Sequence, residues 1–234
     1  GDADEIHENE VAIRALGDGT HEASDDPVQV GSDADWKQVR LGQEHACGLK
    51  TDGTLWCWGD GSDGQLGDDS LSDSSEPVQV GSDENWEELY IHTRQNCGLK
   101  ANDQVWCWGE IAAQDDSPRR ESPRSWRDFA TVTGRRCGIA EDGALFCKGS
   151  GLWGEHGSDQ RNLLSYTQVG SDTDWASIYT GGSHTCGLKE DGAAWCFGHN
   201  FRGQLGTGTM GIKYTPSAVQ PGTAWTQASV GQAH

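Results

Sequence analysis

His45-Ala46-Cys47-Gly48-Leu49-Lys50-Thr51-Asp52-Gly53-Thr54-Leu55-Trp56-Cys57-Trp58-Gly59 is the stretch that decides the fold. Thr51-Asp52-Gly53 is a three-residue turn signal with glycine at the left-handed position, so the segment reads as a β-hairpin. A hairpin centred on Asp52 sets Cys47 directly opposite Cys57 on adjacent antiparallel strands. Opposed residues have Cα atoms about 4.5–5.5 Å apart, within reach of a disulfide. The same spacing of ten recurs at Cys97/Cys107, Cys137/Cys147 and Cys186/Cys196, which accounts for all eight cysteines. The second pair keeps it although Asn102-Asp103 replaces Asp-Gly. Zinc is the competing reading, but there is no Cys-x-x-Cys pair and the thiols fall in separate repeats. Four intrachain disulfides are therefore expected, and with them an oxidising setting: extracellular or otherwise exported.

Outward from this hairpin the chain repeats itself. Trp36, Trp86, Trp126, Trp175 and Trp225 open similar segments at spacings of 50, 40, 49 and 50 residues. The first unit carries Leu41-Gly42, His45, the hairpin, Gly64-Gln65-Leu66-Gly67 and Pro77-Val78-Gln79-Val80; the fourth repeats it closely through Gly203-Gln204-Leu205-Gly206. A period of 40–50 residues with about four short strands reads as propeller blades, and no stretch holds helical periodicity for three turns. The expected fold is all-β: one β-propeller domain over residues 1–234, with about five four-stranded blades. The repeats span 36–85, 86–125, 126–174 and 175–224, with a split repeat made of 225–234 plus 1–35 that lacks the equivalent of Ala46 to Lys50. Either five blades close the ring or blades outside this chain complete it. The terminal region, Gly1–Gly17 with Trp225–His234, is expected to be an association surface.

Composition narrows function by exclusion. The 234 residues carry 37 acidic and 17 basic side chains, a formal charge of −20, which repels a nucleic-acid backbone. No apolar run is long enough to span a membrane, and no signal-peptide pattern opens the chain at Gly1, as a processed exported form would read. No Gly-x-Ser-x-Gly elbow, His-Glu-x-x-His helix or phosphate-cradling loop occurs, so no catalytic residue is assigned. His45, His184 and His234 recur at one repeat position and read as structural hydrogen-bonding side chains. The aromatics beside the second cysteine of each pair, Trp56, Trp58, Trp106, Trp108, Trp195 and Phe197, are expected to pack between blades. Asp60, Asp63 and Asp68 are weak calcium candidates; solvated turn chemistry is the preferred reading, and the full spacing of an EF-hand loop is missing. The degraded second and third units hold a basic cluster, Arg119, Arg120, Arg124 and Arg127. With Trp225 and His234 these are the partner-binding candidates.

The residues Gly42, His45, Leu49, then Asp52-Gly53 with Trp56, Trp58 and Gly59, then Gly64 to Gly67, resemble the signature of the chromosome-condensation-regulator repeat family. The cysteine-paired form looks like repeats in exported bacterial proteins. The resemblance implies a β-propeller, usually of seven blades. It also implies an activity among those of the family: founding members exchange nucleotides on a small GTPase and touch chromatin, and others are protein-binding platforms. The resulting expectation is an exported, non-enzymatic module that binds a protein partner or copies of itself, needs no cofactor, binds no nucleic acid and has no membrane span. The alternative is an exported propeller that binds or hydrolyses glycans.

Overall fold

The computed structural model describes residues 16–109, 117–132 and 134–231. The chain divides into two compact units, residues 1–123 and 124–234. The first unit holds two sheets: β1 (Trp36–Leu41), β2 (His45–Lys50), β3 (Leu55–Gly59) and β4 (Ser74–Gln79), then β5 (Trp86–His92), β6 (Gln95–Lys100), β7 (Val105–Gly109) and β8 (Arg119–Arg120). The second unit holds β9 (Trp126–Val132), β10 (Arg135–Ala140), β11 (Leu145–Ser150) and β12 (Asn162–Gln168), then β13 (Trp175–Thr180), β14 (His184–Lys189), β15 (Ala194–Gly198) and β16 (Lys213–Val219). Every sheet is a four-stranded meander in chain order, the form of a propeller blade.

Among the described residues four sheets stand where about five blades were expected. Residues 16–35 and 225–231 contain no strand, and 1–15 and 232–234 lie outside the described residues. The physical reason is the missing central hairpin. Trp225 still donates its N–H to the Gly192 carbonyl at 2.8 Å, as Trp86 does to Gly53 and Trp175 to Gly143. Among the described residues no second strand pairs with this segment, and Trp225 is 38% exposed.

The hairpin register is the one the spacing required. Cys47 pairs with Cys57, Cys97 with Cys107, Cys137 with Cys147 and Cys186 with Cys196, each pair across adjacent strands with Cα atoms 4.0–4.1 Å apart and the sulfurs bonded. Gly53 has φ +83°, and a Cβ there would lie 2.4 Å from the Glu84 carbonyl oxygen. Only glycine meets both demands. In the second hairpin Asp103 takes the left-handed turn at φ 59°, a conformation aspartate tolerates.

Each repeat's opening tryptophan lies over the glycine after the first cysteine. A Cβ on Gly48, Gly98, Gly138 or Gly187 would come within 2.4–2.7 Å of the ring of Trp36, Trp86, Trp126 or Trp175. The paired aromatics of the third strands divide between two tasks, where one was expected. Trp58, Trp108 and Phe197 are fully buried core residues. Trp56, Trp106 and Trp195 instead cover a lysine. Lys50 Nζ stands 5.1 Å from the Trp36 ring and 4.7 Å from Trp56, and Lys100 stands 4.5 Å from Trp86 and 4.0 Å from Trp106. Lys189 sits likewise between Trp175 and Trp195. Aspartates complete each clamp: Asp33 on Lys50, Asp83 on Lys100, and Asp172 with Asp174 on Lys189. Burial pulls the Lys50 and Lys189 pKa values down, but their aspartates outweigh it and the net shift is upward. In the third sheet Ala140 replaces the lysine, and the Arg124 guanidinium stacks 3.9 Å from Phe146 instead.

Candidate functional site

The recurring histidine position is structural where its contacts are on view. His45 Nε2 lies 2.8 Å from Asn96 Oδ1, and Asn96 Nδ2 donates to the Gln65 carbonyl. Gln65 in turn donates to Asp60 Oδ2. Burial lowers the His45 pKa, with Asn96 and the Asp60 charge opposing. In the second unit the same position holds Arg135 and His184, both buried. Arg135 donates to the Gly181 carbonyl at 2.8 Å and stands 4.0 Å from Glu155. Burial pushes its pKa down to about 10, against the pull of Glu155.

The three calcium candidates do not form a cage. Asp60 is buried and accepts from Ser62 N and Gln65 Nε2, Asp63 accepts from Arg94, and Asp68 accepts from Ser70. Among the described residues no three His, Cys, Asp or Glu side chains converge on a metal-sized space.

The arginine candidates fall on either side of the boundary between the two units. Arg119 and Arg120 form β8 in the first unit, with Arg120 donating to the Pro123 carbonyl. In the second unit Arg124 is stacked on Phe146, and Arg127 bonds the Trp175 carbonyl and Glu190. Trp225 is half-exposed, and His234 lies outside the described residues.

A different cluster stands out on the second unit. The Gly-Gln-Leu-Gly motif builds a tight turn in which the glutamine side chain ties down the loop before it. Gln65 Oε1 accepts from Asp63 N, Gln204 Oε1 from Arg202 N, and Glu155 Oε2 from Trp153 N. The residues at the turn tips are therefore held outward. In the second unit these tips are Leu152-Trp153 and Phe201-Arg202, and all four are exposed. The Trp153 ring meets His199 at 5.6 Å and Phe201 at 6.2 Å, and His199 meets Phe201 at 5.0 Å, all edge-to-face. Tyr214, 41% exposed, packs over Gly154, where a Cβ would lie 2.8 Å from its ring. Gln204 Nε2 donates to His199 Nδ1, which puts the proton of the neutral imidazole on Nε2. Met210, 75% exposed, extends the apolar surface along the same β15–β16 connection.

A family model described as "Regulator of chromosome condensation (RCC1) repeat" matches residues 36–65 and 175–204, and a second model of the same description matches 52–88 and 191–234. Together the two RCC1-repeat models cover residues 36–88 and 175–234. No curated protein sequence matches it. Among solved structures it is similar to human WBSCR16, at 20% identity and a TM-score of 0.75, over 93% of this chain and 63% of that one. It is also similar to Prp20p from Saccharomyces cerevisiae, at 17% identity and a TM-score of 0.71, over 88% and 57%. The ectodomain of receptor kinase CR4 from Physcomitrella patens matches at 18% identity and 0.51, over 84% and 45%. The likeness is one of fold, and the chain spans less than two thirds of each of these proteins.

Compared with the first and fourth repeats, the third repeat departs from the motif at two buried positions. Glu155 stands where Gln65 and Gln204 stand, and His156 where Leu66 and Leu205 stand. His156 is fully buried, and neither ring nitrogen makes a hydrogen bond of good geometry. Burial lowers its pKa; the Glu155 charge and the Gln160 backbone oppose this, and Arg135 adds to it. A histidine with a depressed folded pKa lets the unfolded chain take up the proton first, so stability is lost as pH falls below about 6.5. His156→Leu, which restores the repeat's own residue, is expected to remove that loss. It should also gain about 1–3 kcal/mol at neutral pH by removing an unpaired buried polar group. Thermal melts of both chains between pH 7.5 and about pH 5 check this; parallel pH profiles would contradict it.

Proposed function

We propose that this chain is an exported, non-enzymatic module that binds protein through the aromatic surface formed by Leu152, Trp153, His199, Phe201 and Tyr214. The observation that carries the reading is the turn geometry. The repeat's own glutamine and glutamate side chains hold Trp153 and Phe201 outward, where soluble domains seldom place large rings side by side. Aromatic residues framed by a polar rim are the usual anchors of protein interfaces. Four disulfides support an oxidising location. Prp20p, which shares the fold, is described by its binding to Gsp1p and histones. The glycan alternative draws on the same exposed rings, but these stand 76–84° to one another and make no flat platform for stacked sugar faces.

The test is a phage-displayed random peptide selection run beside a glycan array. Peptides bearing a large apolar residue should be enriched, and their binding should fall at least tenfold with Phe201→Ser or Trp153→Ser, as loss of a central aromatic anchor implies. Glycan capture without peptide enrichment, or reproducible turnover of a glycan, would overturn the reading.

A further inference from the structure

The formal charge is divided unevenly between the two units. Residues 1–123 carry 28 of the 37 acidic and 8 of the 17 basic residues, so the whole net charge of −20 lies there, and residues 124–234 are balanced. Residues 192–234 contain no acidic side chain, only Arg202 and Lys213.

The division is sharpest between two copies of one loop. The segment between the third and fourth strands has the same turn in the first and fourth sheets, set by Gln65 and Gln204. In the first sheet it reads Asp60, Ser62, Asp63, Asp68, Asp69, Leu71, Asp73, Ser74, Ser75. The matching positions in the fourth read His199, Phe201, Arg202, Thr207, Gly208, Met210, Ile212, Lys213, Tyr214. Carboxylates in one copy face neutral, basic or aromatic residues in the other. Both loops carry an exposed apolar tip at the same position, Leu71 at 54% and Met210 at 75%.

Resting on the protein-binding reading above, we infer that the aromatic surface of the second unit takes the acidic β3–β4 loop of another copy of the same chain. Like-to-like contact between two first units would set −20 against −20, whereas contact between a first and a second unit sets it against a balanced surface edged by Arg202 and Lys213. The contact is therefore heterologous, and a heterologous contact that does not close gives an open head-to-tail chain. Exposed charge steers it, so added salt weakens it.

Sedimentation velocity of the full chain across a concentration series tests this. At low salt the average mass should rise above that of one chain, and high salt should lower it. Two variants should each stay monomeric: Phe201→Ser with Arg202→Glu, and Leu71→Ser with Asp69→Asn. Mixed together they should form a dimer and nothing larger, because each retains the half of the contact that the other lacks. A misfolded variant would not be rescued in this way. A wild-type chain that stays monomeric at every concentration, or a mixture that stays monomeric, overturns the inference. Peptide binding that depends on Phe201 in such a monomer would leave the protein-binding reading standing and sink only self-association.

Discussion

Reducing all four disulfides is expected to lower the urea midpoint of unfolding sharply while leaving β-structure in place under native conditions. Each bridge closes a separation of ten residues, which by chain entropy contributes at most about 3 kcal/mol. Each unit contains two bridges, so each stands to lose up to about 6 kcal/mol, a large part of a domain's usual stability of about 5–15 kcal/mol. The tryptophan seats on Gly48, Gly98, Gly138 and Gly187 do not depend on the sulfurs and should keep the sheets assembled. Circular dichroism with urea titration, before and after reduction verified by thiol counting, measures both parts. An unchanged midpoint in the fully reduced chain would refute the expectation. Mass spectrometry of a non-reduced digest should recover each cysteine pair as a linked peptide.

The second large effect is expected at Glu155. Its side chain is 7% exposed and that of Arg135 is 3%. Glu155→Ala leaves a buried guanidinium with the Gly181 carbonyl but no counter-charge, and breaking a buried pair from one side costs about 3–5 kcal/mol. It also frees the Trp153 amide that Glu155 Oε2 holds. Glu155→Gln, the residue of the first and fourth repeats, keeps an acceptor for that amide and removes only the charge, so its penalty should be smaller. Without Glu155 the Arg135 pKa falls further below that of the unfolded chain. The unfolded state then holds more protons, and the deficit of Glu155→Ala should shrink as pH rises toward 10. Equal melting temperatures for wild type and Glu155→Ala would show that the pair carries no stability.

The hairpins were legible because their determinants are local. An Asp-Gly turn and a spacing of ten set the Cys47–Cys57 register without reference to anything distant. The sheets followed from the repeat, since Trp36, Trp86, Trp126 and Trp175 each mark a first strand. No fifth sheet forms among the described residues, and the sequence held the reason, since the split repeat lacks the equivalent of Ala46 to Lys50. The division of the paired aromatics was also hidden. Trp56 and Trp58 are alike in sequence, and only the position of Lys50 gives the first a cation to cover. The exposed aromatic cluster was missed because the third repeat shows only Gly154 and Gly157 of its motif. A position-by-position comparison would have found Glu155 at the glutamine and Trp153 at the tip. Of the arginine candidates, Arg124 and Arg127 make packing contacts within the second unit that the sequence did not announce.

The lysine clamps also bear on chemical reactivity. Acylating reagents need an unprotonated, accessible amine, and Lys50 and Lys189 are held protonated by their aspartates. The side chains of Lys50, Lys100 and Lys189 are only 6–11% exposed. Three of the six lysines are thus withheld from the reagent while their sheet is closed. Each belongs to a different sheet, so the time course of labelling at Lys50, Lys100 and Lys189 times the opening of the first, second and fourth sheets separately. The third sheet has Ala140 in that place and no clamped lysine; its own lysine, Lys148, stands 5.1 Å from the Tyr166 ring instead.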